Sequence, residues 1–327
     1  MTAWEGLGGV PRARLVAARL QLHHAGQPAA AVGKLLLPHQ EDYGEQSFRW
    51  AASARCLAQG TVTAAIPFRA ALRPAPPALL LLSAQGAPDA SDASDAGDAG
   101  DAGDAILREL PLGGRTLDEA YAWLAAQLAE LLGKPLPGEL ERPAGLPGHP
   151  LAAGGRFDAG DDEAFAEVAR LFANADRVLE AWASTWPGAS AVRCWPHNFD
   201  IATLASLTPA IAMDPMISMI EADEPIPAAA AVPEEEGRTI GLGLVPGDEE
   251  HPEPYFYVTP WPRPQGRELP PLPAGSAWNM GAWLGAVLPA AGFMDGAWDA
   301  AAQAAAVETF LRSAADACRL LLAAVPG

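Results

Sequence analysis

The sequence predicts an α+β protein: two β-rich, mainly antiparallel lobes with packed amphipathic helices, in an order that hints at duplication. Three observations carry this. Stretches with apolar residues at three- and four-residue steps alternate with groups of short apolar runs punctuated by Pro and Gly. The order helix, several strands, helix occurs twice along the chain. Finally, 327 residues, half of them hydrophobic and 19% charged, suffice for a substantial core and lie outside the disordered composition class.

The first helix is expected over residues 12–25, where Leu15, Ala18, Leu22 and Ala25 share a face; Gly26 and Pro28 mark its expected stop. Apolar runs at 31–37, 48–57, 62–68, 79–84 and 106–112 then read as strands. Residues 89–105, D-A-S-D-A-S-D-A-G-D-A-G-D-A-G-D-A, contain no large apolar side chain and read as a solvated loop. Asp at every third position lacks the turn geometry and fixed Gly positions of a calcium loop. Thr116 and Glu119 form a capping box for a helix carrying Leu117, Tyr121, Leu124, Leu128 and Leu131, which Gly133 and Pro135 close.

The Pro- and Gly-rich stretch 134–160 reads as a connection between an N-terminal lobe, 1–133, and a C-terminal lobe, 161–327. In the second lobe, acids at 161–163 suit a helix N-terminus, and Phe165, Val168, Phe172, Ala175, Leu179, Trp182 and Trp186 follow until Pro187 and Gly188. Strands are expected at 191–195, 199–204, 239–245 and 255–259, with an acidic, Pro-rich excursion over 221–236. A long helix over 298–325 ends the chain, its stripe formed by Val307, Phe310, Leu311, Ala314, Cys318, Leu321 and Leu322. No aligned identities accompany the parallel between lobes, so it is one of architecture, and unrelated sheets in the two halves would overturn it.

Composition narrows the function classes. The formal net charge is −19, and removing the six Asp of the repeat leaves −13, so the chain is acidic throughout. Nucleic acid and anionic membranes are disfavoured as partners, because affinity for them comes from Lys and Arg. Cys56, Cys194 and Cys318 form no paired spacing, which argues against a disulfide framework or a zinc knuckle. The start, M-T-A-W-E-G-L-G-G-V-P-R, lacks a signal-peptide pattern, and no apolar run is long enough for a membrane span. A cytoplasmic location is expected.

The densest chemistry lies in C-W-P-H-N-F-D-I-A-T-L, residues 194–204. His197 and Asp200 are the candidate catalytic pair, since a His beside a carboxylate serves both general bases and metal ligands, and Pro196 favours a bend that lets residues three apart converge. The competing reading is a His and an Asp that satisfy buried backbone where a strand begins. Trp195, Asn198, Tyr257, Arg263 and Trp278 are the candidate ligand-binding residues. In Y-F-Y-V-T-P-W-P-R-P the alternation sends Tyr255 and Tyr257 to one face, where an aromatic wall beside His197, Asp200 and Arg263 suits a small organic or sugar-like ligand.

A metal would draw on His197, Asp200 and His251, with His39, Glu41, Asp42 and Glu253 as further donors. None of them shows H-x-x-x-H, H-E-x-x-H or paired-Cys spacing, so the metal reading has no support from spacing. No nucleotide-binding motif occurs: the glycines of G-L-G-L-V-P-G, 241–247, fit neither common phosphate-binding pattern, and no G-x-S-x-G is present. Cys56 and Cys194 read as inert buried thiols. The alternative to a ligand-binding protein is an interaction or scaffold protein, whose signature would be an exposed apolar patch around the Pro-rich residues 260–273.

Several landmarks together resemble an uncharacterised bacterial family known only as domain of unknown function 5996. They are Gly33-Lys34 on an early strand, Ala65-Ile66-Pro67 ending another, the helix around Tyr121, Phe199-Asp200 before an apolar strand, and the long terminal helix. The likeness runs over residues 12–325 and brings no activity with it. The chain departs from the family pattern at Ser47-Phe48-Arg49-Trp50-Ala51, where aromatic and His residues cluster in the family, and at His197, where many members have a small residue.

Overall fold

The computed structural model describes residues 3–84, 105–207 and 237–323. The Asp repeat at 89–104 and the acidic excursion at 221–236 fall outside these residues. The architecture is α+β, with two mainly antiparallel sheets. The first lobe runs α1 (Arg12–Leu36), β1 (Arg49–Ala51), β2 (Cys56–Ala58), β3 (Phe68–Arg73), β4 (Ala78–Ser83), β5 (Ile106–Pro111) and α2 (Leu117–Leu132). The second runs α3 (Asp162–Ala183), β6 (Arg193–Trp195), β7 (Asp200–Ser206), β8 (Thr239–Val245), β9 (Tyr255–Trp261), β10 (Ala277–Asn279), β11 (Gly285–Pro289) and α4 (Ala300–Leu322). Sheet order is β1-β2-β3-β4-β5 in one lobe and β10-β11-β9-β8-β7-β6 in the other.

Two departures from the expected elements matter for the site. First, α1 does not stop at residue 25; it continues to Leu36, so residues 31–36, Gly33-Lys34 among them, are helical, Leu37 caps the helix, and the run forms no strand. Pro28 lacks the N–H that would bond His24 O, a defect worth about 3 kcal/mol. That loss is offset by burial: every residue from His23 to Gly33 is buried, and a buried Leu22 or Val32 contributes roughly 1.5–3 kcal/mol. Second, residues 48–57 form a hairpin of two short strands, and 62–68 forms only an isolated bridge, Val62 to Phe68, before β3 begins. The capping box at Thr116 and Glu119 is present, and Gly133 closes α2 in a left-handed conformation. Helix α3 ends at Ala183, ahead of Pro187.

The two lobes share more than their element order. Each sheet opens with the same hairpin: three residues, a four-residue turn, and an antiparallel return. In both, the last turn residue is left-handed, Arg55 at φ 48° and Phe199 at φ 57°. In register, Arg49, Ala51, Cys56 and Ala58 correspond to Arg193, Trp195, Asp200 and Ala202. The lobes meet through these equivalent hairpins, because Phe48 and Cys194 exchange two backbone hydrogen bonds (2.9 and 2.8 Å). Helix α1 packs on α3 beside them. Phe48, Phe172, Phe199 and Leu22 belong to one cluster of buried side chains drawn from both lobes.

Candidate functional site

Where the lobes meet, a cavity of about 360 Å³ opens between α1, the segment before β1, the connection after α2 and the β6–β7 turn. Helix α1 presents Gln27, Ala30, Ala31 and Lys34 to it, and these positions share a face because they recur at three and four residues. The two alanines leave the room that larger side chains would fill. Loop residues Asp42, Tyr43 and Gln46 form the second wall. They sit close to α1 because Gly33 has no side chain: a Cβ there would lie 1.9 Å from Glu45 O. Tyr43 is left-handed (φ 58°) and 61% exposed, and Asp42 Oδ1 accepts from Gly44 N (2.9 Å).

Glu141, Arg142 and Pro143 make the third wall. Lys34 Nζ reaches across to Glu141 at 2.6 Å. Arg142 is fixed from behind by Asp118 (2.6 Å) and lies 4.7 Å over the Tyr121 ring.

Trp195, Pro196 and His197 complete the lining. Their turn is clamped by α1. Gln27 Nε2 donates to Pro196 O (2.8 Å), and His23 Nε2 donates to Pro196 O (3.0 Å) and His197 O (3.1 Å). Carbonyls only accept, so His23 carries its proton on Nε2. Its ring stacks on Phe199 at 5.3 Å. Burial, reinforced by neighbouring His24, pushes the His23 pKa down from 6.5 to about 4, so the clamp is neutral. The adjacent His24 donates to Pro147 O (2.9 Å) and ties the connection to the same helix.

Asp200 stands directly opposite Trp195 in the β6–β7 register, but is not among the residues that line this cavity. It is 7% exposed and accepts from the Tyr257 hydroxyl at 2.8 Å, while Oδ1 has no partner among the described residues. Burial raises its pKa, against the opposing pull of the Tyr257 hydrogen bond and of His197. Tyr257 is likewise shifted well up by burial and by the Asp200 charge. Next to them Tyr255 donates to Asp248 Oδ2 at 2.5 Å, and its ring is 6.4 Å from that of Tyr257.

The sequence candidates thus separate. Trp195 and His197 border the cavity; Asp200 and Tyr257 pair on the sheet behind; Asn198 is exposed on the turn without lining the cavity. Trp278 donates to Pro270 O (2.8 Å) and packs on the core, and Arg263 reaches Met280 O and Gly281 O (both 3.3 Å). His251 lies against the Tyr255 ring at 5.1 Å. Among the described residues no three His, Cys, Asp or Glu side chains converge as a metal site. Cys194 is buried beside Asp200, and burial raises its thiol pKa.

Sequence reasoning missed Gln27, Lys34, Tyr43, Glu141 and Arg142. The one available signal was the 27, 30, 31, 34 spacing, legible only to a reading that carries α1 past Pro28.

A family model described as "Family of unknown function (DUF5996)" matches residues 101–318, more than half of the chain. That span holds the β6–β7 turn and the 141–143 wall, while the α1 and Tyr43 walls lie before it. Comparison with curated proteins and with solved structures finds no match.

Proposed function

The chain belongs to this family of unknown function, and we propose that it binds a small organic molecule in the cleft between α1 and the β6–β7 turn. One observation supports this above others: Trp195 and His197 meet three other segments that carry polar or charged residues, around about 360 Å³ of space, a volume at the small end of ligand pockets. Trp195 offers the apolar wall and His197 the polar rim. Asp200 acts from behind, holding the strand opposite Trp195 through Tyr257. Relative to a pocket inside the C-terminal lobe, the site moves to the seam between lobes.

A fragment screen by ligand-observed NMR tests the proposal on the intact protein, with Ala31→Leu and His197→Ala as comparisons. Ala31→Leu fills the cleft; hits should vanish in it and weaken several-fold in His197→Ala, with circular dichroism unchanged. Hits that bind both variants as well as the parent protein would place binding elsewhere. For partners we exclude polyanions on the net charge of −19, and we place the protein in the cytoplasm, in keeping with three buried cysteines that form no disulfide; membrane-free fractionation with the soluble pool is the check.

A second reading has its own support. Trp261 in the Pro-rich stretch, where a scaffold protein would carry its contact patch, is 65% exposed, and Met280, whose carbonyl accepts from Arg263 of that stretch, is 66% exposed. Trp261→Ser with Met280→Ser should leave fragment binding intact under the first reading; a loss of self-association or complex size in light scattering would favour the second.

A further inference from the structure

We infer that the ligand of this cleft is a small zwitterion, a molecule carrying an ammonium and a carboxylate a few bonds apart. The inference rests on the binding role proposed above and names the chemistry it serves. Four lining residues are ionic, and they balance: Lys34 and Arg142 against Asp42 and Glu141. A ligand with net charge would meet an opposing group for each attracting one. A zwitterion can satisfy both signs at once.

The four differ in how many partners they have. Arg142 has two, Asp118 at 2.6 Å and the Tyr121 ring, and Asp42 has two, Gly44 N and Arg193 at 3.6 Å. Lys34 and Glu141 hold only each other across the mouth, and their side chains are 50% and 67% exposed. An ion pair of that exposure contributes little to stability, so opening it is cheap, and a ligand carboxylate and ammonium inserted between the two replace one pair with two. The aromatic faces fit the same chemistry. Trp195, half-buried, and Tyr43, exposed on a left-handed backbone, both line the cleft, and an aromatic ring face attracts an alkylammonium. Space of about 360 Å³ admits a molecule of amino-acid or betaine size.

Isothermal titration calorimetry on the full chain tests the class, with L-proline, glycine betaine and the amino acids of uncharged side chain as zwitterions. Glucose and trehalose serve as neutral probes, and acetate and methylammonium as single charges. At least one zwitterion should bind, with affinity falling ten-fold or more in both Lys34→Met and Glu141→Gln, and the single charges should bind at least ten-fold more weakly. A preference for betaine over proline would assign recognition to the aromatic pair, the reverse to the ammonium hydrogen bonds; both support the class. Sugars that bind and are lost in Ala31→Leu would overturn the zwitterion while leaving the cleft in place. Zwitterions whose binding ignores Lys34→Met and Glu141→Gln, or that fail to bind at all while fragments still occupy the cleft, would also overturn it. Fragments that ignore Ala31→Leu would remove the cleft itself.

Discussion

Two buried polar residues hold the turn that carries Trp195 and His197, and each makes a distinct pH signature. Asp200 has a raised pKa because burial disfavours its charge, so its contribution is present below the ordinary carboxylate range and is lost as pH rises through the folded value. Asp200→Asn keeps an acceptor for Tyr257 and removes the buried charge. We expect stability at pH 8 equal to or above that of the parent protein in urea unfolding. Tyr257→Phe leaves both Asp200 oxygens without a donor and should cost about 1–3 kcal/mol. A clear loss in Asp200→Asn together with none in Tyr257→Phe would show that the pair is not what holds the strand.

His23 behaves oppositely. Its pKa falls from 6.5 to about 4, so between those values the unfolded chain takes up a proton that the folded chain refuses. Stability is full above about pH 6.5 and declines as pH falls toward 4, by at most about 3 kcal/mol at 1.36 kcal/mol per pKa unit. His24 and His149 are lowered by burial and add in the same sense. His23→Gln retains a donor for Pro196 O, so urea unfolding at pH 7 and pH 4.5 should show a smaller acid loss than in the parent protein. An identical loss in both would remove His23 from the account.

At the scale of elements, what could be read from the sequence was what is local. The α2 boundaries follow from Thr116, Glu119 and Gly133, each acting within a turn of the helix end, and β8 spans the expected 239–245 because its apolar run is bounded by charge and by Pro246-Gly247. The terminal stripe of α4 is equally local. Helix α1 was misread for a nonlocal reason: Pro28 and Gly26 are breakers by propensity, and only packing against β3, α2 and α3 overrides them. Strands β10 and β11 carried no alternation strong enough to read, and both depend on pairing with β9 through β11. The cleft was not legible because its walls come from four separated segments. Gly33 joins two of them. A Cβ at that position would press on Glu45 O and on Gln59 Nε2 (1.9 and 2.6 Å), so Gly33→Ala must push the 44–46 turn off α1. The expected cost is about 1–3 kcal/mol, with fragment binding lost alongside, measured by urea unfolding and NMR. Full stability in Gly33→Ala would mean that the loop relaxes without strain.

For the whole molecule, the question is whether two lobes of similar design also unfold as two. The shared opening hairpin, with its left-handed Arg55 and Phe199, makes the chain look like a fused pair of related units. The seam argues for one cooperative unit. Equivalent parts of each lobe touch there: Phe48 bonds Cys194, α1 packs on α3, and the segment before each first helix crosses the other, with Asn174 holding Glu5 and His24 holding Pro147. Around Gly26, side chains from both lobes converge within 4 Å of one point, Leu72 and Phe48 from the first and Phe199 from the second. Exposing Phe48, Phe172 and Phe199 by parting the lobes would cost roughly 1.5–3 kcal/mol each, a sum comparable with the about 5–15 kcal/mol that holds an ordinary domain together. On that sum, neither lobe is expected to stay folded without the other. Calorimetry should therefore give a single transition with equal calorimetric and van't Hoff enthalpies, and fragments 1–133 and 161–327 expressed alone should show no cooperative unfolding. Two resolved transitions, or one fragment that melts cooperatively by itself, would make the seam a docking interface between independent domains and would leave the cleft able to open as they separate.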